Sequence, residues 1–104
     1  EAAAAVRHLI AAADPADDAL LATAFTALGT CQRAGGRTDD ALIAFLTVDL
    51  VYNRQPAARA ESLLNLVQLW EATNNPERAR AARAALAESF PDSPWTKSLS
   101  KPEG

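Results

Sequence analysis

Methionine is absent from this 104-residue chain, and cysteine and histidine occur once each. A single thiol, Cys31, forms no internal disulfide and no thiolate metal cluster, and it leaves the redox compartment open. The lone His8 excludes any site that needs two imidazoles. Aromatic residues make up 6% of the chain and β-branched residues are few, which argues against strands, where both are enriched. No apolar run approaches the ~18 residues that span a bilayer, so membrane insertion is not expected. Positive charge is short as well. Ten Lys and Arg face thirteen Asp and Glu, a net charge of −3, and the basic residues are scattered. Nucleic-acid binders gather theirs into a stripe, so no nucleic-acid partner is expected. The chain also lacks a signal-peptide pattern and a starting methionine. Opening at Glu1 inside a helical pattern, it is expected to be a piece of a longer protein.

What is present is alanine, the strongest helix former, which supplies much of a hydrophobic content of 49%. An all-α chain of one domain, spanning 1–104, is the expectation. Its punctuation agrees. Asp14-Pro15, Asn75-Pro76 and Ser93-Pro94 each set an N-cap residue before a proline, which the first helical turn tolerates. Asp17, Asp18 and Glu77 add negative charge where a helix N-terminus favours it. Thr38 opens a helix after the Gly35-Gly36 break, and Gln55-Pro56 marks a weaker start. These signals predict helices near 2–13, 16–34, 38–53, 56–73 and 76–90, a short turn over 94–99, and a loose tail after it. Apolar stripes follow helical spacing: Leu21, Phe25, Leu28 and Gln32 or Cys31; Ala41, Phe45, Val48 and Tyr52; Leu63, Leu66, Val67 and Trp70; Ala79, Leu86 and Phe90. Short loops make successive helices antiparallel, giving a chain of helix hairpins.

The sequence also repeats itself at a period of 38 residues (41−3, 79−41), in Ala3, Ala41 and Ala79. Ile10, Val48 and Leu86 follow the same step, Phe25 pairs with Leu63, Leu28 with Leu66, and Ala22 with Ala60. Small residues recur where helices approach closely, and large ones where they fill the layer between.

With these residues in view the chain resembles the tetratricopeptide (TPR) family. That motif runs aromatic, leucine-glycine, aromatic, then alanine and an aromatic in the second helix, then a closing proline. The middle unit matches it with Phe25, Leu28-Gly29, Ala41, Phe45 and Val48. The last matches with Leu63, Leu66, Trp70, Ala79, Leu86 and Pro91, and the first helix supplies Ala3, Ile10 and Pro15. The usual period is ~34 residues, so each unit here is about one helical turn longer. Gln32 stands where the motif has an aromatic, Val67 where it has glycine, and Arg83 where it has the second-helix aromatic. The resemblance implies a short α-solenoid of stacked antiparallel hairpins. The closing Ser89-Phe90-Pro91-Asp92-Ser93-Pro94 resembles endings found in repeat proteins of bacterial cell envelopes. The compartment itself stays open between the cell envelope or periplasm and the cytoplasm.

In proteins of this kind the first helix of each hairpin lines a concave groove that holds a peptide or partner protein. By register, the resemblance places Thr23, Thr26, Thr30 and Arg33 there from one helix. From the next it places Glu61, Leu64, Asn65, Gln68 and Glu71. The plainer reading is that these are the solvated sides of two amphipathic helices. The lysine-rich clamp that some relatives use for terminal carboxylates is represented by Asn65 alone, so that ligand is not expected. Val6, Leu9 and Ile10 have no earlier helix to cover them. They predict contact with upstream repeats or with a second copy.

Other candidates reduce to structure. Cys31 lies on an apolar stripe with only Arg33 as a basic neighbour, unlike a reactive thiolate. Asp14, Asp17 and Asp18 lack the spacing, glycine and distal glutamate of a calcium loop. Glu61 and Glu71 lie about 15 Å apart along one helix, too far for a carboxylate pair. Gly35-Gly36 has no phosphate-loop pattern, and Trp70 and Trp95 read as core. The sequence therefore predicts a non-catalytic protein–protein interaction scaffold without cofactor or metal. The alternative is a self-association or spacer module within a larger protein.

Overall fold

The helix Asp18–Ala34 is capped at its N-terminus by a side chain, whereas Thr38–Leu50, Pro56–Ala72 and Pro76–Ser89 start without a side-chain cap, and the ends of all four close through backbone N–H groups. The computed structural model describes residues 2–100, and Glu1 and the segment 101–104, including most of the tail expected to be loose, lie outside them. Among the described residues the chain is all-helical: α1 (Ala2–Ala12), α2 (Asp18–Ala34), α3 (Thr38–Leu50), α4 (Pro56–Ala72), α5 (Pro76–Ser89) and α6 (Pro94–Ser100). None of these helices is long and apolar enough to cross a membrane. Prolines 56, 76 and 94 each open a helix, as their fixed φ and missing N–H allow.

Two boundaries differ from expectation by more than one residue, each for a local reason. Asp14 does not cap α2. Its carboxylate accepts the Ala16 N–H at 2.9 Å, closing a turn, and Asp17 becomes the cap by accepting the Leu20 N–H at 3.2 Å. The helix therefore starts at Asp18. At the end of α3 the N–H groups of Val51 and Tyr52 both donate to the Thr47 carbonyl, at 2.9 and 3.2 Å, so the helix stops at Leu50. Tyr52 leaves the helical stripe but keeps an apolar role, its ring stacked on Phe25 with centroids 5.6 Å apart.

The repeat is written in the backbone. Helices α2 and α4 are both 17 residues long and start 38 residues apart (56−18), and α6 starts 38 after α4 (94−56). Each long helix ends on a residue with positive φ, Gly36 at 78° and Asn74 at 62°, again 38 apart (74−36). Gly36 N–H donates to the Arg33 carbonyl and Arg37 N–H to that of Gln32; Asn74 N–H donates to Glu71 and Asn75 N–H to Trp70. This is the same left-handed C-terminal cap, built once on glycine and once on asparagine.

Three-residue connections join α2 to α3 and α4 to α5, so each pair forms an antiparallel hairpin. From α1 to α5 each helix packs on the next, and α2 also packs on α4, and α4 on α6. The body measures 42 × 27 × 22 Å. Its larger core joins Phe45 and Leu42 of α3 to Leu63, Leu66 and Val67 of α4 and Leu86 of α5, with Leu99 of α6 packed at its edge. The smaller core centres on Ala3, Leu28 and Ala44 and includes Val6, Ile10, Phe25 and Cys31. Val6 and Ile10 thus turn inward against α2 rather than forming an uncovered face; of that trio only Leu9 is exposed, at 48%. Trp95, expected in the core, is likewise exposed, while its neighbour Thr96 is buried and donates to the Phe90 carbonyl. On the outer side of α3, Ile43 and Leu50 are 64% and 70% exposed, with Val51 next to them.

The seam inside each hairpin is filled differently. A Cβ on Gly29 would lie 2.8 Å from the Phe45 ring, so the ring rests on bare α2 backbone, fully buried. The positions 38 residues on are Val67, also fully buried, and Arg83, which reaches outward to Glu71 at 3.3 Å. Gln32 and Trp70 form a third such pair. Gln32 is buried with its Oε1 lacking a hydrogen-bond partner among the described residues. Trp70 is half-buried beneath the Arg78 guanidinium, 5.1 Å from the ring centroid.

Candidate functional site

Because α2, α3 and α4 are joined by short turns and alternate in direction, α2 and α4 run parallel, side by side. Polar side chains meet across their seam. Thr26 Oγ1 lies 3.3 Å from Ser62 Oγ, and two turns further along Arg33 reaches across to α4. Its Nη1 donates to Asn65 Oδ1 at 2.6 Å and to Gln68 Oε1 at 2.8 Å. Asn65 is itself held, its Nδ2 donating to the Glu61 carbonyl at 2.9 Å. The guanidinium is half-buried and bound to two neutral amides, so its positive charge is ordered but not cancelled by a carboxylate.

The N-terminal half of the same seam is open. A hollow of about 300 Å³ lies between the helices, lined by Thr23, Thr26, Ala27, Ala57, Ala58 and Glu61. The small residues make the space: alanines at 27, 57 and 58 leave no side chain long enough to close it. Glu61 is half-buried there, and desolvation pushes its carboxyl up from the usual carboxylate range.

The structure sorts the nine groove residues named from the sequence. It brings together Thr23, Thr30, Arg33, Glu61, Asn65 and Gln68 on the α2–α4 surface, with Thr23 and Thr30 exposed. Thr26 and Leu64 are not presented as expected. Thr26 is buried and donates to the Ala22 carbonyl at 2.8 Å. Leu64 is only 6% exposed and belongs to the larger core. Glu71 is drawn away toward α5 by Arg83, in an exposed pair worth little. Sequence reasoning missed Ala27, Ala57 and Ala58, although their spacing of three or four from Thr23 and Glu61 places them on the same helix faces.

The remaining chemistry-bearing groups lie elsewhere. His8 is exposed on α1, and Cys31 is half-buried in the smaller core. Among the described residues no group of three or more His, Cys, Asp or Glu could hold a metal ion. No family model, curated protein or solved structure matches the chain.

Proposed function

We propose that this chain is a TPR-like array of helix hairpins, a short α-solenoid, and that it serves as a non-catalytic scaffold holding a peptide or partner protein along the α2–α4 surface. The observation that carries the reading is the parallel pair α2 and α4, 38 residues out of phase, presenting one polar seam ordered by Arg33, Asn65 and Gln68. Amides, hydroxyls and one ordered guanidinium offer both donors and acceptors, which suits an extended backbone whose own N–H and C=O groups need partners. The backbone repetition supports the stacking: each hairpin covers an apolar face that it cannot bury alone.

The test is capture from lysate of the source organism on three immobilised chains of matched helicity. They are the parent, the triple variant Arg33→Ala, Asn65→Ala, Gln68→Ala, and Thr30→Trp, which fills the seam without touching the Arg33 bridge. Proteins held by the parent and lost from both variants are expected. The same proteins on all three chains would sink the reading, as would a parent that retains nothing beyond the bare resin.

A self-association reading is favoured by a separate observation, the exposed Ile43, Leu50 and Val51 on the outer side of α3. Mass in solution decides it. A strict monomer at the highest soluble concentration removes this reading, and a dimer that Ile43→Glu dissociates supports it.

A further inference from the structure

The Glu61 hollow holds a charge that the described residues leave unmatched. The Glu61 side chain makes no hydrogen bond or ion pair among the described residues; Asn65 engages its main-chain carbonyl, not its carboxylate. The hollow's other walls are alanine methyls and two threonines, one of which has already spent its hydroxyl proton on Ala22. The cation on the same seam, Arg33, is fixed by Asn65 and Gln68. Those residues lie four and seven positions further along α4, about 6–10 Å of helix rise from Glu61. A carboxylate that is half removed from water and left without a counter-charge is held at a cost, which the upward shift of its pKa registers.

The geometry points to this hollow as the seat for one basic side chain, lysine or arginine, of the segment bound along α2 and α4, with the Glu61 carboxylate as its counter-ion. The inference rests on the scaffold reading for the source of that side chain. The chemistry matches part by part. A lysine or arginine stem lies on apolar surface while its head seeks an acceptor, and here Ala27, Ala57 and Ala58 supply the surface and Glu61 the acceptor. Threonine hydroxyls at the rim, Thr23 above all, take remaining N–H donors. A metal ion is a poor alternative, since calcium takes six to eight oxygens and the hollow offers a single carboxylate. A neutral occupant would leave the carboxylate desolvated and unpaired, and an acidic one would be repelled.

The test is a titration of the ¹⁵N-labelled chain with n-butylammonium chloride at low salt, followed by amide chemical shifts, with 1-butanol as the neutral probe of equal length. Saturable shifts at Thr23, Ala27, Ala57 and Ala58 are expected with the amine and not with the alcohol. Glu61→Gln, checked for an otherwise unchanged spectrum, is expected to weaken the amine at least tenfold. Equal binding to Glu61→Gln would overturn the proposal, as would amine shifts centred on Asp39-Asp40 or Glu77 instead. The free amine makes this result separable from partner capture. Captured partners with no seated amine leave the scaffold and remove the seat, whereas a seated amine with no captured partner does the reverse.

Discussion

The hairpins α2–α3 and α4–α5 share helix positions, a three-residue turn and a left-handed cap, yet their seams are filled from opposite sides. In the first, α2 contributes nothing at Gly29 and α3 contributes the whole Phe45 ring. In the second, α4 contributes Val67 from the equivalent position, and the α5 residue, Arg83, stays outside with Glu71. The backbone plan is therefore kept constant while bulk moves from one helix to its partner. In both seams the position is filled by a fully buried side chain, Phe45 in one and Val67 in the other, as close packing demands.

Mutations break or sharpen this contrast, and unfolding in urea ranks them. The largest effect is expected from Phe45→Ala, a loss of about 3–5 kcal/mol, against a change within about 0.5 kcal/mol for Arg83→Ala. Equal losses would show that the two seams are not filled asymmetrically. Next comes Gly29→Val, expected to cost about 1–3 kcal/mol by forcing the ring off the helix. In a Phe45→Ala background the same substitution should cost less or gain, because the valine then occupies vacated space. Strict additivity would contradict the ring's close approach to the bare Gly29 backbone.

Smaller effects concern the caps and the seam surface. Alanine at Gly36 is expected to cost about 1–2 kcal/mol, since φ is 78° there and an L side chain crowds the following carbonyl. Alanine at Asn74, at φ 62°, should cost less because asparagine already carries a Cβ. The smallest effect is that of Glu61→Gln. Burial raises this carboxyl's pKa in the folded chain, so the folded state holds the proton better. That contribution favours folding in acid and is lost as pH rises through the folded pKa. Glu61→Gln should thus raise the thermal midpoint more at pH 7 than at pH 4, and an equal shift at both would argue against desolvation.

Helix starts at prolines 56, 76 and 94 and the break at Gly35-Gly36 were legible because proline and glycine act through their own backbones, whatever surrounds them. The choice between Asp14 and Asp17 was not, since either can cap and only the competing turn at Ala16 decides. The seam was half legible. The resemblance, carried over by register, put Arg33, Asn65 and Gln68 on one face, and they meet. It also put Leu64 and Thr26 there, and they are buried. The reason is the number of neighbours: α4 packs against α2, α3, α5 and α6, so only a narrow strip of it reaches solvent. A single helix wheel carries no information about how many helices will surround it. The pairing of Glu71 with Arg83 was not legible for a related reason, that partner lying on another helix.

The contact of Gly29 with Phe45 also bears on how such a chain avoids confusing its own parts. Hairpins built on one backbone plan invite exchange, one helix folding against the wrong neighbour during assembly. Here the two pairings differ: Gly29 of α2 leaves room that the Phe45 ring of α3 fills, whereas α5 offers Arg83 at the equivalent position, a side chain that stays outside with Glu71. The bare backbone at Gly29 thus marks α3 rather than α5 as the partner of α2.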